Sequence, residues 1–250
     1  MSQVLDRSVR LLTALAARAE GATTGTLAAA SGLPPATAAR LLAALRQVGF
    51  ADQDGRRGRW RPGPLVSALA ARAPYRHALT GLVRARAQQL ASHHRCGVVL
   101  SCLRGSRRIT LLHLPRPGRQ GGAPFAESDD LWDSAGGRLL VAHLPRQARI
   151  RLIAVIGLPG PLWPGLLTRA ELDGELRTIA RAGQAERQAH GTRSLACAVP
   201  DGQGGLASLG AYLADGSAWT AMAQDLLALA AAITADLDGS ITDGRRGKSG

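Results

Sequence analysis

The stretch that decides the fold is Thr24-Gly25-Thr26-Leu27-Ala28-Ala29-Ala30-Ser31-Gly32-Leu33-Pro34-Pro35-Ala36-Thr37-Ala38-Ala39-Arg40-Leu41-Leu42-Ala43. Apolar residues recur at helical spacing on both sides of Gly32. Thr23 or Thr24 can cap a first helix running to about Ser31. Gly32 and Leu33 make a short turn. Pro34 and Pro35 cannot lie inside a helix but suit its first turn. The helix they open carries Leu41, Leu42 and Leu45 on one side and runs to about Val48, where Gly49 stops it.

Working outward, Val4 to Ala19 repeats the helical period, with Leu11, Leu12 and Leu15 apolar and Gly21 just beyond its end. On the other side lies Phe50-Ala51-Asp52-Gln53-Asp54-Gly55-Arg56-Arg57-Gly58-Arg59-Trp60-Arg61. Asp-Gly between two short runs is a hairpin signal. Pro62, Gly63 and Pro64 then break the chain. Three helices followed by a hairpin read as a winged helix-turn-helix over about residues 5–63. That geometry puts the start of the last helix into the major groove of DNA. The expected contacts are Thr24, Pro35, Ala36, Thr37, Ala39 and Arg40, of which Thr37 and Arg40 make the strong hydrogen bonds. Arg56, Arg57 and Arg59 in the hairpin suit phosphates or an adjacent minor groove.

The charge sits where this reading needs it. Of the ten arginines before residue 74, six are Arg40, Arg46, Arg56, Arg57, Arg59 and Arg61, against four acidic residues in the same stretch. The formal net charge of +13 favours a polyanionic partner. Lys248 is the single lysine, so a biased gene composition would also raise the charge; the placement of the arginines carries more weight than their sum. Aromatic residues make up 3% of the chain, which disfavours RNA or single strands bound by stacking.

The 250 residues allow two domains of ordinary size. Residues 64–78 read as a linker helix, with a break near Pro74. Residues 79–238 read as mixed α/β. Strands are expected at Cys96–Leu103, Arg108–Leu114, Ser194–Val199 and Leu206–Leu213. Helices are expected at Ser134–His143, Ala148–Val155, Arg169–Ala182 and Ala218–Leu237. Residues 239–250 read as a disordered polar tail. Cys96, Cys102 and Cys197 are odd in number and not spaced as CxxC, which fits a reducing cytoplasm. No signal peptide and no run of 18 uncharged apolar residues is present, so no membrane association is expected.

The residues also resemble a known family. Val4-Leu5-Asp6-Arg7-Ser8-Val9-Arg10-Leu11-Leu12, Leu27-Ala28 to Gly32-Leu33-Pro34, Thr37 to Leu45 and Val48-Gly49-Phe50 look like the DNA-binding half of an IclR-type regulator. Ala135 to Pro145 and Leu195-Ala196-Cys197-Ala198-Val199-Pro200 with Leu206 to Gly210 are similar to its ligand-binding half. The wing departs from the family at Pro62, where a leucine is usual. The acidic Glu127-Ser128-Asp129-Asp130 replaces an apolar segment, and Gly183–Gly191 matches poorly. The resemblance implies an α+β fold: an N-terminal winged helix-turn-helix plus a C-terminal GAF-like sensor of a small effector, possibly a carboxylate. It implies effector contacts at Ser134, Gly137, Cys197 and Ala198, and repression as the default. Gly137 could bring backbone N–H groups to a carboxylate or simply allow close packing, and Cys197 could be a small buried hydrophobe. A homodimer or tetramer on a near-palindromic operator is expected, because one recognition helix covers few base pairs.

Two rivals are weaker. A C-terminal domain that only oligomerises would show no ligand effect on DNA affinity. An enzyme would need its machinery from Cys197, His190, Asp201, His113 and Ser134, none of which sits in a GxSxG, P-loop or HExxH setting. No cofactor is implied. His93-His94 with Cys96 lacks a distant partner for a metal and reads as a helix-end basic pair.

Overall fold

In the N-terminal helices, capping and turn chemistry set the element ends. The computed structural model describes residues 3–18, 20–55, 58–72, 74–118, 126–202, 204–214 and 218–246, and the chain divides into two units, residues 1–77 and 78–250. In the first unit, α1 (Gln3–Ala16), α2 (Thr24–Ser31) and α3 (Pro35–Gln47) precede a hairpin of β1 (Ala51–Gln53) and β2 (Trp60–Pro62). The Thr23 hydroxyl caps α2 by accepting from the Thr26 N–H. Gly32 adopts the left-handed conformation at φ 64°, and its N–H together with that of Leu33 closes the turn onto the Ala28 and Ala29 carbonyls. That turn is what sends α3 across α2. Leu11, Leu15, Leu27, Leu42, Leu45 and Trp60 form the core of the unit.

Pro62 is compatible with the wing for a reason of register. The bonded pairs across the hairpin are Phe50 with Gly63 and Asp54 with Arg59, so Pro62, opposite Ala51, falls at a non-bonded position. Its nitrogen faces away from β1, where no ladder donor is required. Trp60, two residues earlier, uses the same outer edge to exchange hydrogen bonds with Ala22.

Helix α4 (Pro64–Arg72) follows, then α5 (Pro74–His94), which leads into the second unit. Six antiparallel strands form its sheet: β3 (Gly97–Arg104), β4 (Arg107–Leu114), β5 (Glu127–Ser128), β6 (Gln184–Ala189), β7 (Thr192–Pro200) and β8 (Leu206–Ala214). Their order is β5-β4-β3-β8-β7-β6. Strand β6 was not expected from the sequence: Gln184-Ala185-Glu186-Arg187-Gln188-Ala189 buries one residue only, as a strand at a sheet edge can.

Helices cover both faces. Leu79, Val83, Ala87 and Leu90 of α5 pack on one face with Met222, Leu226, Ala230 and Ile233 of α9 (Trp219–Arg246). On the other face lie α6 (Ala135–Ala142), α7 (Arg146–Ile156) and α8 (Arg169–Ala182). All strand pairing is antiparallel, which makes the whole an α+β fold. Helix α9 corrects the expected tail, since it continues beyond Leu237 to Arg246. Trp219–Asp238 is long and apolar enough by composition to cross a membrane, yet its Met222, Leu226, Ala230 and Ile233 stripe is packed against the sheet, as a core helix requires.

Candidate functional site

The first unit presents a short, smooth helix face. Pro35, Ala36, Ala39 and Arg40 are exposed on α3, Thr37 is half-buried, and Ala38, Leu41 and Leu42 point into the core. Arg40 is therefore the one long polar side chain in the first two turns. The Thr24 hydroxyl accepts a 3.0 Å hydrogen bond from the Trp60 indole, tying the wing to α2. Arg59 is likewise committed, with its Nε and Nη2 donating at 3.2 and 3.0 Å to the Gly21 carbonyl. Arg61 pairs with Asp54 at 3.2 Å. Arg56 and Arg57 lie outside the described residues.

The second unit holds a cavity of about 310 Å³ between the sheet and the first turn of α6. Alternation along the strands decides which residues reach it. On β7, Leu195, Cys197 and Val199 alternate into the α5/α9 core, so Cys197 is turned away from the cavity. Burial pushes the Cys197 thiol up to about 11, as for an inert core thiol. Ala198 is on the opposite face but packs against the α6–α8 cluster. Gly137 is a packing residue: a Cβ there would lie 2.4 Å from the Leu131 carbonyl oxygen. Of the four expected effector contacts only Ser134 lines the cavity, and its hydroxyl already caps α6, accepting from the Gly137 N–H and donating to the Asp130 carbonyl.

The open polar groups are ones the motifs did not mark. Ser101 on β3 and Ser208 on β8 are direct cross-strand partners, each 1% exposed and lining the cavity. Neither hydroxyl has a hydrogen-bond partner among the described residues. Both lie close to Gly136, where a Cβ would come within 2.9 Å of the Ser208 Oγ and 3.5 Å of the Ser101 Oγ. The sequence signal was there: a serine among apolar neighbours on a two-face-buried strand is a polar group needing a partner.

At the far end of the cavity His113 and Tyr212 share a 2.9 Å hydrogen bond. Gly97 makes this possible, because a Cβ there would fall 2.1 Å from the Tyr212 ring. Burial, and then the nearby Arg108, lower the His113 pKa, which keeps the imidazole neutral at pH 7.

The acidic segment before α6 has a local explanation. Glu127 and Asp129 pair with Arg107 at 3.1 and 3.0 Å. Asp130 takes the Arg108 guanidinium side-on, with Nε at 2.9 Å. Asp133 pairs with Arg187. The segment thus neutralises arginines on the sheet, and the two charged groups lining the cavity, Arg108 and Asp133, each have an opposite charge in place.

Comparison with known proteins agrees with this architecture. The IclR helix-turn-helix domain family matches residues 4–55. The HTH-type transcriptional regulator Rv1719 of Mycobacterium tuberculosis is 29% identical over 199 residues, covering 79% of this chain and 75% of the relative. Among solved structures, an IclR homolog of Microbacterium hydrocarbonoxydans complexed with 4-hydroxybenzoate superposes with a TM-score of 0.71 at 21% identity, over 95% of this chain and 100% of that one. An IclR-type regulator of Alicyclobacillus acidocaldarius gives 0.67 at 20% identity, over 96% and 98%.

A helix-turn-helix with a hairpin wing, followed by an α+β unit around a cavity, defines a DNA-binding transcription regulator. Residues 4–55 match the IclR helix-turn-helix domain, and over most of its length the chain is similar to a transcription regulator of the helix-turn-helix type.

Proposed function

We propose that the chain is a repressor whose affinity for its operator is modulated by a small carboxylate-bearing effector held in the cavity of the second unit. The observation that carries this reading is the pair of Ser101 and Ser208, cross-strand partners that line the cavity beside the first turn of α6. A hydroxyl that faces a cavity can donate to a ligand oxygen, and two side by side suit a carboxylate. The α6 N-terminus adds backbone N–H groups and a dipole favourable to an anion. The 4-hydroxybenzoate of the Microbacterium hydrocarbonoxydans neighbour supports the size and chemistry.

Residues 1–63 bind DNA, 64–78 connect, and 79–238 hold the effector. On DNA, Thr37 and Arg40 read base edges while Arg56 and Arg57 take phosphates. The protein works in the cytoplasm as a homodimer or tetramer on a near-palindromic site. Val4, Leu5 and Val9 are exposed in the first half of α1, and they provide an apolar surface for pairing.

The test is binding of the purified protein to its own upstream intergenic DNA against unlabelled random DNA, with and without 4-hydroxybenzoate and related aromatic acids. Specific binding that an acid weakens is the expected result. Specific binding that no ligand in a broad carboxylate panel alters would favour a second unit that only oligomerises. Arg40→Ala is expected to cost about 1–3 kcal/mol of operator binding while leaving nonspecific binding nearly intact; an unchanged operator affinity would misplace the recognition helix. Ser208→Ala is expected to weaken effector binding about tenfold, with DNA affinity in the absence of effector unchanged, the loss expected for one hydrogen bond to a charged group.

A further inference from the structure

We propose that His93, His94 and Asp225 form a binding site for a divalent transition-metal ion, best suited to Zn²⁺, where the end of α5 meets α9. The two histidines close α5, and Asp225 stands 131 residues further along on α9. One donor atom from each lies within 4.8 Å of the others. The site is independent of the effector cavity, since α5 and α9 cover the opposite face of the sheet from α6.

The geometry is close to what one ion needs. Zinc sits about 2.0–2.2 Å from imidazole nitrogen or carboxylate oxygen, so donors around a tetrahedral ion stand about 3.4 Å apart. The His94 Nε2 and Asp225 Oδ2 are 2.7 Å apart, as a hydrogen bond. His94 is held nearly buried, its side chain 7% exposed, and the His93 ring meets it edge-on with centroids 4.6 Å apart. His93 and Asp225 are exposed and can rotate to admit the ion. His94 is thus the preset ligand and the other two close on it. Two imidazoles and one carboxylate select a borderline ion such as Zn²⁺, Co²⁺ or Ni²⁺ over Mg²⁺ or Ca²⁺, which prefer all-oxygen shells. Three protein ligands leave a fourth position for water. The ion would clip the last turn of α5 to α9 and stabilise the second unit.

The experiment is calorimetric titration of ZnCl₂ into tag-free, chelator-stripped full-length protein, with Co²⁺ absorption reporting coordination. The expected result is one ion per chain, a melting temperature that rises with Zn²⁺, and affinity lost by more than about tenfold in His93→Ala and in Asp225→Asn. Both positions are exposed, so the variants keep their fold, which a melt without metal verifies. Absence of Zn²⁺ binding by the wild type would overturn the proposal, and so would binding that both variants leave unchanged.

Discussion

Leu42→Ala is expected to unfold the N-terminal unit selectively and to abolish operator binding. Leu42 is fully buried in a core built from α1, α2, α3 and the wing. Truncating such a leucine costs about 2–5 kcal/mol, from lost burial plus the cavity left behind. A unit of some 77 residues holds only about 4–12 kcal/mol in total, so the loss consumes much of its stability. The second unit has its own cores and is expected to remain folded. Hydrogen–deuterium exchange resolves the two: peptides from residues 11–63 lose protection while those from β3, β7 and β8 keep it. Leu42→Met, nearly equal in volume, is expected to cost less than about 1.5 kcal/mol and to retain DNA binding. Full protection and full binding in Leu42→Ala would show that the helices of this unit do not depend on the core assigned here.

Arg138→Ala is expected to destabilise the second unit by about 2–5 kcal/mol and to weaken effector binding with it. Arg138 is 6% exposed on α6, an unusual place for a cation. Its Nε donates to the Trp132 carbonyl and its Nη2 to the Leu162 carbonyl, both at 2.9 Å, and its guanidinium lies 4.0 Å from the centre of the Trp163 ring. Burial, followed by the neighbouring Arg187, pushes its pKa down to about 10, which still leaves it charged at neutral pH. It fastens the loop before α6 and the turn at Gly160–Leu162 to the helix that walls the cavity. Removal leaves two carbonyls without their donor and a hole beside Trp163. Arg138→Lys keeps the charge but not the planar fork, and most of the loss is expected to persist. Urea denaturation followed by far-ultraviolet circular dichroism measures the shift. A midpoint within error of the wild type would mean that the loops hold without this anchor.

Much of the first unit was legible because its signals are local. A threonine cap, a glycine in the left-handed turn, prolines at a helix start and Asp-Gly in a hairpin each act through neighbours within a few residues. Their order along the chain was enough to place α2, α3 and the wing. Side-chain commitments within the unit were not legible. The Thr24 hydroxyl accepts from the Trp60 indole N–H and Arg59 donates to the Gly21 carbonyl, partners some 36 and 38 residues away. Long-range pairing of this kind leaves no local trace.

In the second unit the apolar runs located β3, β4, β7, β8 and the long helices, and the family resemblance pointed to the start of α6 and to β7. Composition and short-range spacing carry that far because they report burial and period. They do not report which face of a buried strand meets a helix and which meets a void. Cys197 and Ala198 are neighbours in sequence and point to opposite faces, so the cavity falls instead to Ser101 and Ser208, brought opposite one another by the β3–β8 register. The acidic segment before α6 looked foreign until the fold set each carboxylate against an arginine of the sheet. His93 and His94 lacked a distant partner until α9 brought Asp225 beside them. A chain's linear order specifies caps, turns and periods through bonds to near neighbours; juxtapositions across a sheet exist only once strands pair and helices choose a face.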